Sequence, residues 1–543
     1  MDYTKRAVAL CLTTFVVLIA ISFIPPQKLF GVETRRINIL SEITEFSSDI
    51  ERANVAVELV IDETEYEIDM EQVDIALDSI ELESIDADHS VTWIDDALTS
   101  KDEAVNVDEE FDTQPNTAHS YASTTPRVEL KRRLPAIALT PIEEFSSQEL
   151  SPIKRLYRKM LSPDSIVHIA LLGDSFVEAD ILSADLREAL QEQFGGQGAG
   201  FAPAASPLTV YRKTIKTTTS SGWNCHNIMQ RTKTPEPFNK YFSVSGWVSL
   251  PSNGASTQWR TTSERSHIES CSRVRILLLS TSDSSVEVVI NGARTRTFDF
   301  KASTALRQIE LTDNNITSVK MTVTKGAEGF IGYGAIFEGR SGIVVDNYSI
   351  RSNNGQAMLW TSPVINAQID KAIGGYDLII LQYGLNIMQK GVNRYTNYGA
   401  QVEKMITYAR KCFPRAAILV MGVSDRSMRE NGEYMPMKEA PILSSYQREA
   451  AQNCGVAYWD THSAMQAQGG MSSFVEHGWA GKDYTHINFA GGRQVAWALY
   501  DAMVAGAIEE QGKMVIRRPA EKSIINPKRD KKIRSALATP RIK

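Results

Sequence analysis

The sequence predicts a three-layer α/β domain with a parallel sheet, interrupted by an all-β insert of jelly-roll type. Two apolar runs, residues 166–172 and 377–383, suit strands that are buried on both faces, and stretches with helical spacing follow each run. Between the runs, over residues 207–339, helical spacing gives way to short β-branched runs separated by turns such as Asn291-Gly292. This order predicts an antiparallel insert within an α/β domain.

The first element along the chain is an uncharged apolar run, residues 7–24, which Lys5 and Arg6 precede and Pro25 ends. Eighteen helical residues, at about 1.5 Å each, nearly span the roughly 30 Å hydrocarbon core of a bilayer. No small-residue cleavage site follows, so we predict an uncleaved transmembrane anchor over residues 1–26, with its amino end in the cytoplasm. A cleaved signal peptide is the alternative, and both readings place the remaining chain outside the inner membrane.

Charge is spread unevenly along the 543 residues, whose net charge is −7. Residues 33–112 contain 26 acidic and 4 basic residues, a local balance of −22. Residues 513–543 contain 11 basic and 2 acidic residues, a balance of +9. Because such charge blocks usually stay solvated, we predict a disordered acidic linker over residues 27–150 and a solvated basic tail over residues 513–543.

The α/β pattern occurs on both sides of the insert, so residues 151–206 and 340–512 are predicted to form one domain. The insert itself, residues 207–339, contains three tryptophans that are candidates for stacking on sugar rings, although core packing is the expected role of any one of them. They are Trp223, Trp247 and Trp259.

Five cysteines show no C-x-x-C spacing, which argues against a zinc or redox site. No pair of histidines has the helical spacing of a metal site, so we predict no metal. In an exported chain, Cys225 and Cys271, or Cys412 and Cys454, could form disulfides. Buried free thiols are the equal alternative, and the sequence leaves both open.

A candidate nucleophile follows the first buried strand, in the triplet Gly173-Asp174-Ser175. A serine at the carboxyl end of such a strand exposes its hydroxyl above the sheet, beside helix N–H groups that stabilise negative charge. By itself this triplet is more often a helix cap, so the interpretation needs a base and an oxyanion site.

A candidate base lies just before the last predicted helix, where the chain reads Asp483-Tyr-Thr-His486. Imidazole titrates in the range that a serine hydroxyl requires of its base. A carboxylate three residues earlier can orient the ring and stabilise its protonated form during attack. We therefore predict a Ser175–His486–Asp483 triad.

One candidate oxyanion donor follows the second buried strand, and another lies in a turn that precedes this strand. Asn386 comes directly after Gly384-Leu385, and Gly355 ends an Asn-Asn-Gly turn. Together with the Ser175 N–H, the Gly355 N–H and the Asn386 amide can form an oxyanion hole, in which each donor typically changes the rate by about 10²-fold or more. An ordinary turn glycine is the alternative role for Gly355.

The order and spacing of these blocks resemble the SGNH (GDSL-like) hydrolase family. The serine of the family's GDS block appears as Ser175, its oxyanion glycine as Gly355 and its oxyanion asparagine as Asn386. Its final D-x-x-H appears as Asp483 and His486. The resemblance implies a serine-hydrolase fold and assigns these five residues to the catalytic and oxyanion roles just described.

The resemblance covers residues 160–205 and 340–506. One departure is visible, because the third block of the family usually reads G-x-N-D and Ile387 here follows Asn386. A β module between the first and second blocks, combined with export, is similar to the peptidoglycan O-acetylesterases of Gram-negative envelopes, whose insert is a carbohydrate-binding-like jelly roll. This implies an O-acetylated polysaccharide substrate.

We therefore expect an inner-membrane-anchored, extracytoplasmic serine esterase that removes O-acetyl or other short acyl groups from a cell-wall or secreted polysaccharide, such as peptidoglycan. The reaction would proceed through an acyl-enzyme on Ser175 and requires no cofactor. An O-acyltransferase using the same site is one alternative, and a catalytically inactive wall-binding protein is another. The expected partners are the polysaccharide and the inner membrane, with no nucleic acid.

Overall fold

A computed structural model describes residues 28–29, 32–33, 90–94, 129–430 and 432–516. The predicted membrane anchor, residues 1–26, and most of the predicted basic tail lie outside these residues. No helix in the described part of the chain combines the length and apolar character that a membrane span requires.

The described residues contain 22 strands. In chain order they are β1 (Lys28–Leu29), β2 (Val32–Glu33), β3 (Ser90–Ile94), β4 (Glu143–Glu144), β5 (Ile166–Gly173), β6 (Gly200–Pro203), β7 (Ile215–Thr219), β8 (Trp223–Asn227), β9 (Trp247–Pro251), β10 (Ser256–Thr261), β11 (Cys271–Ser280), β12 (Ser284–Ile290), β13 (Arg294–Phe300), β14 (Arg307–Ile316), β15 (Ser318–Lys325), β16 (Phe330–Glu338), β17 (Gly342–Asn347), β18 (Leu378–Gln382), β19 (Ala417–Met421), β20 (Ser427–Glu430), β21 (Glu433–Pro436) and β22 (Ala457–Trp459).

Nine α-helices accompany these strands in the same described residues. They are α1 (Pro152–Met160), α2 (Ser183–Phe194), α3 (Gln356–Leu359), α4 (Pro363–Ala372), α5 (Thr396–Cys412), α6 (Glu439–Asn453), α7 (Thr461–Gln466), α8 (Gly470–Glu476) and α9 (Phe489–Ile516). Because α9 runs to Ile516, the predicted basic tail begins inside a helix at Lys513.

A six-stranded sheet in the order β17–β5–β18–β19–β22–β4 forms the centre of the α/β domain. Its first five strands are parallel, and the short β4 pairs antiparallel with β22 at one edge. Every residue of β18 and β19 is buried, which explains their unbroken apolar sequence. Helices α1 and α2 pack on α9, whereas α4 and α6 pack on α5, as expected for two helix layers around a parallel sheet. The predicted α/β class is confirmed.

The insert consists of two mainly antiparallel sheets. One has the order β13–β12–β15–β10–β7, and the other has the order β3–β14–β11–β16–β9–β8, with β6 also paired to β16. Both sheets contribute to one separate apolar core, for example Trp259 and Met321 from the first sheet and Ile276 and Phe337 from the second. This β-rich region is therefore a two-sheet sandwich, and its jelly-roll connectivity remains a prediction.

The prediction of a disordered linker over residues 27–150 is wrong for the three segments of it that the structure describes. Strand β3 pairs in parallel with β14, because the edge of a sheet offers unpaired N–H and C=O groups to an alternating segment. Residues 129–150 pack on the α/β domain. There the buried Asp501 carboxylate accepts hydrogen bonds from the Arg132 guanidinium and from the N–H of Leu134. Strands β1 and β2 also pair with each other.

The four described cysteines are free thiols. Cys271 lies in the core of the insert and Cys412 in that of the α/β domain. Burial raises the pKa of both thiols to about 12, so both stay protonated and weakly reactive at neutral pH.

Candidate active site

Ser175 lies in the tight turn that follows β5. The Asp174 carboxylate fixes this turn, because its Oδ1 accepts a hydrogen bond from the Phe176 N–H at 2.9 Å. Gly173 is required at the end of the strand, since a Cβ there would lie within 2.9 Å of the Gln382 carbonyl oxygen on β18. The side chain of Ser175 is thereby held at the carboxyl edge of the sheet, where parallel α/β sheets place their sites.

The structure brings Ser175, His486 and Asp483 together, although Ser175 and His486 are 311 residues apart in the chain. Ser175 Oγ lies 3.3 Å from His486 Nε2, and His486 Nδ1 lies 2.7 Å from Asp483 Oδ2. The His486 and Asp483 side chains are 31% and 32% exposed, so a substrate can reach them. The first distance is long for a hydroxyl donor, as is common before a substrate tightens the contact.

The Asp483 carboxylate is fixed by its own turn. Its Oδ1 accepts hydrogen bonds from the N–H groups of Thr485 and His486, both at 3.1 Å, and Tyr484 between them has a φ of 53°. Burial would raise the pKa of Asp483, but the hydrogen bond and charge of His486, with these N–H groups, hold it below its ordinary value. The carboxylate therefore stays ionised and can stabilise an imidazolium.

Arg426 supports the same turn, and the sequence interpretation missed it. Its Nε donates to Thr485 Oγ1 at 3.1 Å, while that hydroxyl donates to the Asp483 carbonyl oxygen at 3.1 Å. The next residue, Ser427, donates its N–H to the Tyr484 carbonyl at 3.0 Å. Its place in the sequence could have indicated this role, since Arg426 follows β19 at the same edge of the sheet as Ser175.

Asn386 and Gly355 make contacts that bear on their predicted oxyanion roles. The exposed Asn386 amide donates to the Asn353 carbonyl at 3.0 Å and lies 3.4 Å from Asp174 Oδ2. The Gly355 N–H already donates to Asn353 Oδ1 at 2.9 Å, and its φ of 97° explains the glycine. Their assignment to an oxyanion hole with the Ser175 N–H therefore stays a prediction.

Asp174 contacts more of the site than its place in the triplet suggested. The residue is fully buried, and burial raises the pKa of its carboxyl to about 7 despite the Phe176 N–H and the charge of His486. Its two oxygens reach the turn of Ser175 and the amide of Asn386. Asp174 thus connects the loops after β5 and β18, which carry the candidate nucleophile and the candidate amide donor.

The turn after Ser175 is joined to the insert by a buried ion pair. Asp180 is 1% exposed, and its carboxylate lies 2.7 Å from Arg212 Nε and 3.4 Å from Arg187 Nη2. Arg212 also donates to the carbonyl oxygens of Ala199 and Phe201 in the insert region. Burial would raise the pKa of Asp180, but the two arginines hold it well below its ordinary value.

Replacing Arg212 by methionine is expected to lower the free energy of unfolding at pH 7 by about 3–5 kcal/mol, because the Asp180 carboxylate stays buried with only Arg187 as a charged partner. A depressed pKa stabilises the fold above the ordinary pKa of aspartate, about 3.9, and that contribution disappears as the pH falls towards the folded-state value. The loss should therefore be smaller at pH 4 than at pH 7. Urea unfolding at both pH values measures this difference.

The double variant Asp180→Asn/Arg212→Met provides the control, since it removes both charges together. It should recover more than half of the lost stability. Equal stability of Arg212→Met and the parent at pH 7 would mean that the ion pair contributes nothing to holding the turn.

No protein-family model matches the chain, and no curated protein matches it in sequence. The chain is similar to a solved structure of a peptidoglycan O-acetylesterase, with 19% identity and a TM-score of 0.55 over 68% of this chain and 99% of the other. Family two carbohydrate esterases from Clostridium thermocellum (11% identity, 50% and 96% of the two chains, TM-score 0.21) and Cellvibrio japonicus (12%, 55% and 97%, 0.20) also match. The first likeness shows the fold, and the predicted SGNH-hydrolase fold is confirmed.

Proposed function

We propose that this protein is an extracytoplasmic serine esterase that removes O-acetyl or other short acyl groups from a cell-wall or secreted polysaccharide. The observation that carries the proposal is the chain of contacts from Ser175 Oγ through the His486 ring to the Asp483 carboxylate, at 3.3 and 2.7 Å. A half-exposed serine aligned with a histidine and an ionised carboxylate is the arrangement that acyl transfer requires.

The reaction starts when Ser175 Oγ attacks the ester carbonyl carbon and His486 Nε2 takes the hydroxyl proton. The tetrahedral intermediate then collapses to an acyl-enzyme, and His486 gives the proton to the departing sugar oxygen, which leaves as a hydroxyl. Water, deprotonated by the same nitrogen, attacks the acyl carbon, the bond to Ser175 Oγ breaks, and His486 returns the proton to Oγ as the carboxylic acid leaves. Asp483 stabilises the imidazolium in both steps.

The oxyanion is held by the Ser175 N–H and the Asn386 amide. For this, the Asn386 amide would give up its hydrogen bond to the Asn353 carbonyl and donate to the developing negative charge instead. Gly355 adds a third donor when Asn353 Oδ1 releases its N–H. Asp174, at hydrogen-bonding distance from Asn386, positions the amide throughout.

A polysaccharide of the cell envelope is the substrate that fits the amino-terminal sequence and the structural likeness. The apolar run over residues 7–24 and the acidic segment that follows suit an anchored protein whose catalytic domain lies outside the inner membrane. A solved structure with a similar fold is that of a peptidoglycan O-acetylesterase. This likeness supports an O-acylated polysaccharide as substrate.

The test uses the full-length chain with a chromogenic acetate ester and with O-acetylated peptidoglycan, following acetate release by NMR. A fluorophosphonate probe should label one residue, and peptide mapping should identify it as Ser175. Acetate release that appears only when a glycan acceptor is present, with the acetyl group recovered on the acceptor, would replace hydrolysis by acyl transfer. A folded protein that neither releases acetate nor reacts with the probe would contradict the proposal and favour a binding role.

A further inference from the structure

A small hairpin, formed by β20 and β21, lies beside the active site. Within the described residues its strands pair only with each other, and all four residues of β21 are exposed. Tyr434 and Met435 on β21 are 39% and 50% exposed. An isolated two-stranded hairpin is only marginally stable in water, so contacts with the domain must hold it in place.

Those contacts are made with the loops that carry the candidate catalytic groups. The Tyr434 ring stacks on Tyr484, between Asp483 and His486, with ring centroids 3.8 Å apart and an interplanar angle of 11°. On the other side, Glu430 lies 3.4 Å from the Nζ of Lys390, which follows Asn386 on the same loop. The hairpin therefore connects the triad turn to the candidate oxyanion loop and forms part of the rim of the site.

Stacking covers one face of the Tyr434 ring, and the residue remains 39% exposed. The three candidate tryptophans of the insert offer less, because Trp259 is 0% and Trp247 9% exposed, and Trp223 packs against the insert core. Sugar rings present a face of C–H groups that packs on aromatic rings, while their hydroxyls remain solvated or bind nearby polar groups. Glu433 and Lys482 are exposed beside the two tyrosines and supply such groups, whereas a lipid would need a wider apolar surface.

We propose that Tyr434, stacked on Tyr484, is a platform that binds a pyranose ring of the esterified polysaccharide at the rim of the active site and so presents the acyl group to Ser175. This inference rests on the proposed function for the identity of the ester. It adds a binding subsite formed by the hairpin, outside the insert.

The experiment compares Tyr434→Ala with the parent on two substrates, O-acetylated peptidoglycan and a chromogenic acetate ester. One aromatic contact is typically worth about 0.5–1.5 kcal/mol, which is a factor of about 2 to 13 in kcat/KM. We expect kcat/KM for the polymer to fall about fivefold to tenfold more than that for the small ester, mainly through KM. Tyr434→Phe keeps the ring and should restore most of the loss.

Tyr211→Ala is the matched control, because Tyr211 is another exposed tyrosine, 53% accessible, and belongs to the insert region. It should leave the ratio of the two activities unchanged. A ratio that is unchanged by Tyr434→Ala, or that falls with Tyr211→Ala instead, would overturn the platform.

A binding measurement separates this inference from the proposed function. In the Ser175→Ala background, titration with soluble O-acetylated peptidoglycan fragments should give a Kd that Tyr434→Ala weakens about fivefold or more. If the parent hydrolyses no ester but this weakening is observed, the esterase proposal fails and the platform stands. If hydrolysis depends on Ser175 but Tyr434→Ala leaves Kd unchanged, the platform fails and the esterase proposal stands.

Discussion

Replacing Ser175 by alanine is expected to lower kcat for acetate-ester hydrolysis by about 10⁶-fold, leaving only the catalysis that binding and the oxyanion donors provide. The alanine removes the oxygen that forms the acyl-enzyme, and His486 then has no hydroxyl to deprotonate. Because the side chain contributes one long hydrogen bond at 3.3 Å, the stability of the fold should change by no more than about 1 kcal/mol. Acetate release and urea unfolding measure the two quantities separately.

Ser473→Ala is a matched control, because Ser473 is also a serine beside a histidine. Its Oγ lies 3.2 Å from His477 Nδ1, but His477 stacks on Trp479 and has no carboxylate partner among the described residues. This variant should retain the full parental kcat. If Ser175→Ala kept more than about 1% of the parental kcat, a different group would have to be the nucleophile.

Replacing Asp483 by asparagine is expected to lower kcat by about 10⁴-fold. The carboxylate lies 2.7 Å from His486 Nδ1 and therefore fixes the proton on that nitrogen and leaves Nε2 free to accept the Ser175 proton. An amide can turn its NH₂ group towards Nδ1, which reverses the tautomer and leaves no charge to stabilise the imidazolium. The measurement is kcat near pH 7, with acetate release as the readout.

Asp460→Asn serves as the control for this variant. Asp460 precedes His462 by two residues but caps helix α7, where it accepts a hydrogen bond from the Ser463 N–H at 3.1 Å. Its substitution should affect stability slightly and kcat hardly at all. If Asp483→Asn kept more than a tenth of the activity, Asp483 would not be the carboxylate that stabilises the imidazolium. Asp174, whose charge also interacts with that of His486, would then be the candidate.

The elements of the fold could be predicted because their signals are local. The unbroken apolar run of β5 reflects burial on both faces, and the glycine, aspartate and serine that follow it form a turn whose hydrogen bonds lie within a few residues. The pair Asp483 and His486 is local in the same sense, since the two residues share one turn. The chain order of these blocks then placed Ser175 and His486 at one edge of a parallel sheet.

Long-range contacts left no comparable pattern. Arg426 and Asp174 act at the site through residues far away in the chain, and β3 pairs with a strand whose position depends on the folded insert. A disordered linker was predicted there because charge density is a local property, whereas strand addition depends on an available sheet edge.

By itself, the sequence determined the α/β class, the interruption by a β domain and the candidate nucleophile, base and carboxylate, since periodicity and turn chemistry act between neighbours. Only the tertiary structure decided that the Gly355 N–H is engaged by Asn353, that Asp180 and Arg212 join the nucleophile turn to the insert, and that Tyr434 stacks on Tyr484. These contacts depend on the register of non-adjacent strands and on the packing of side chains from distant segments. Both bring groups that are far apart in the chain to hydrogen-bonding or stacking distance.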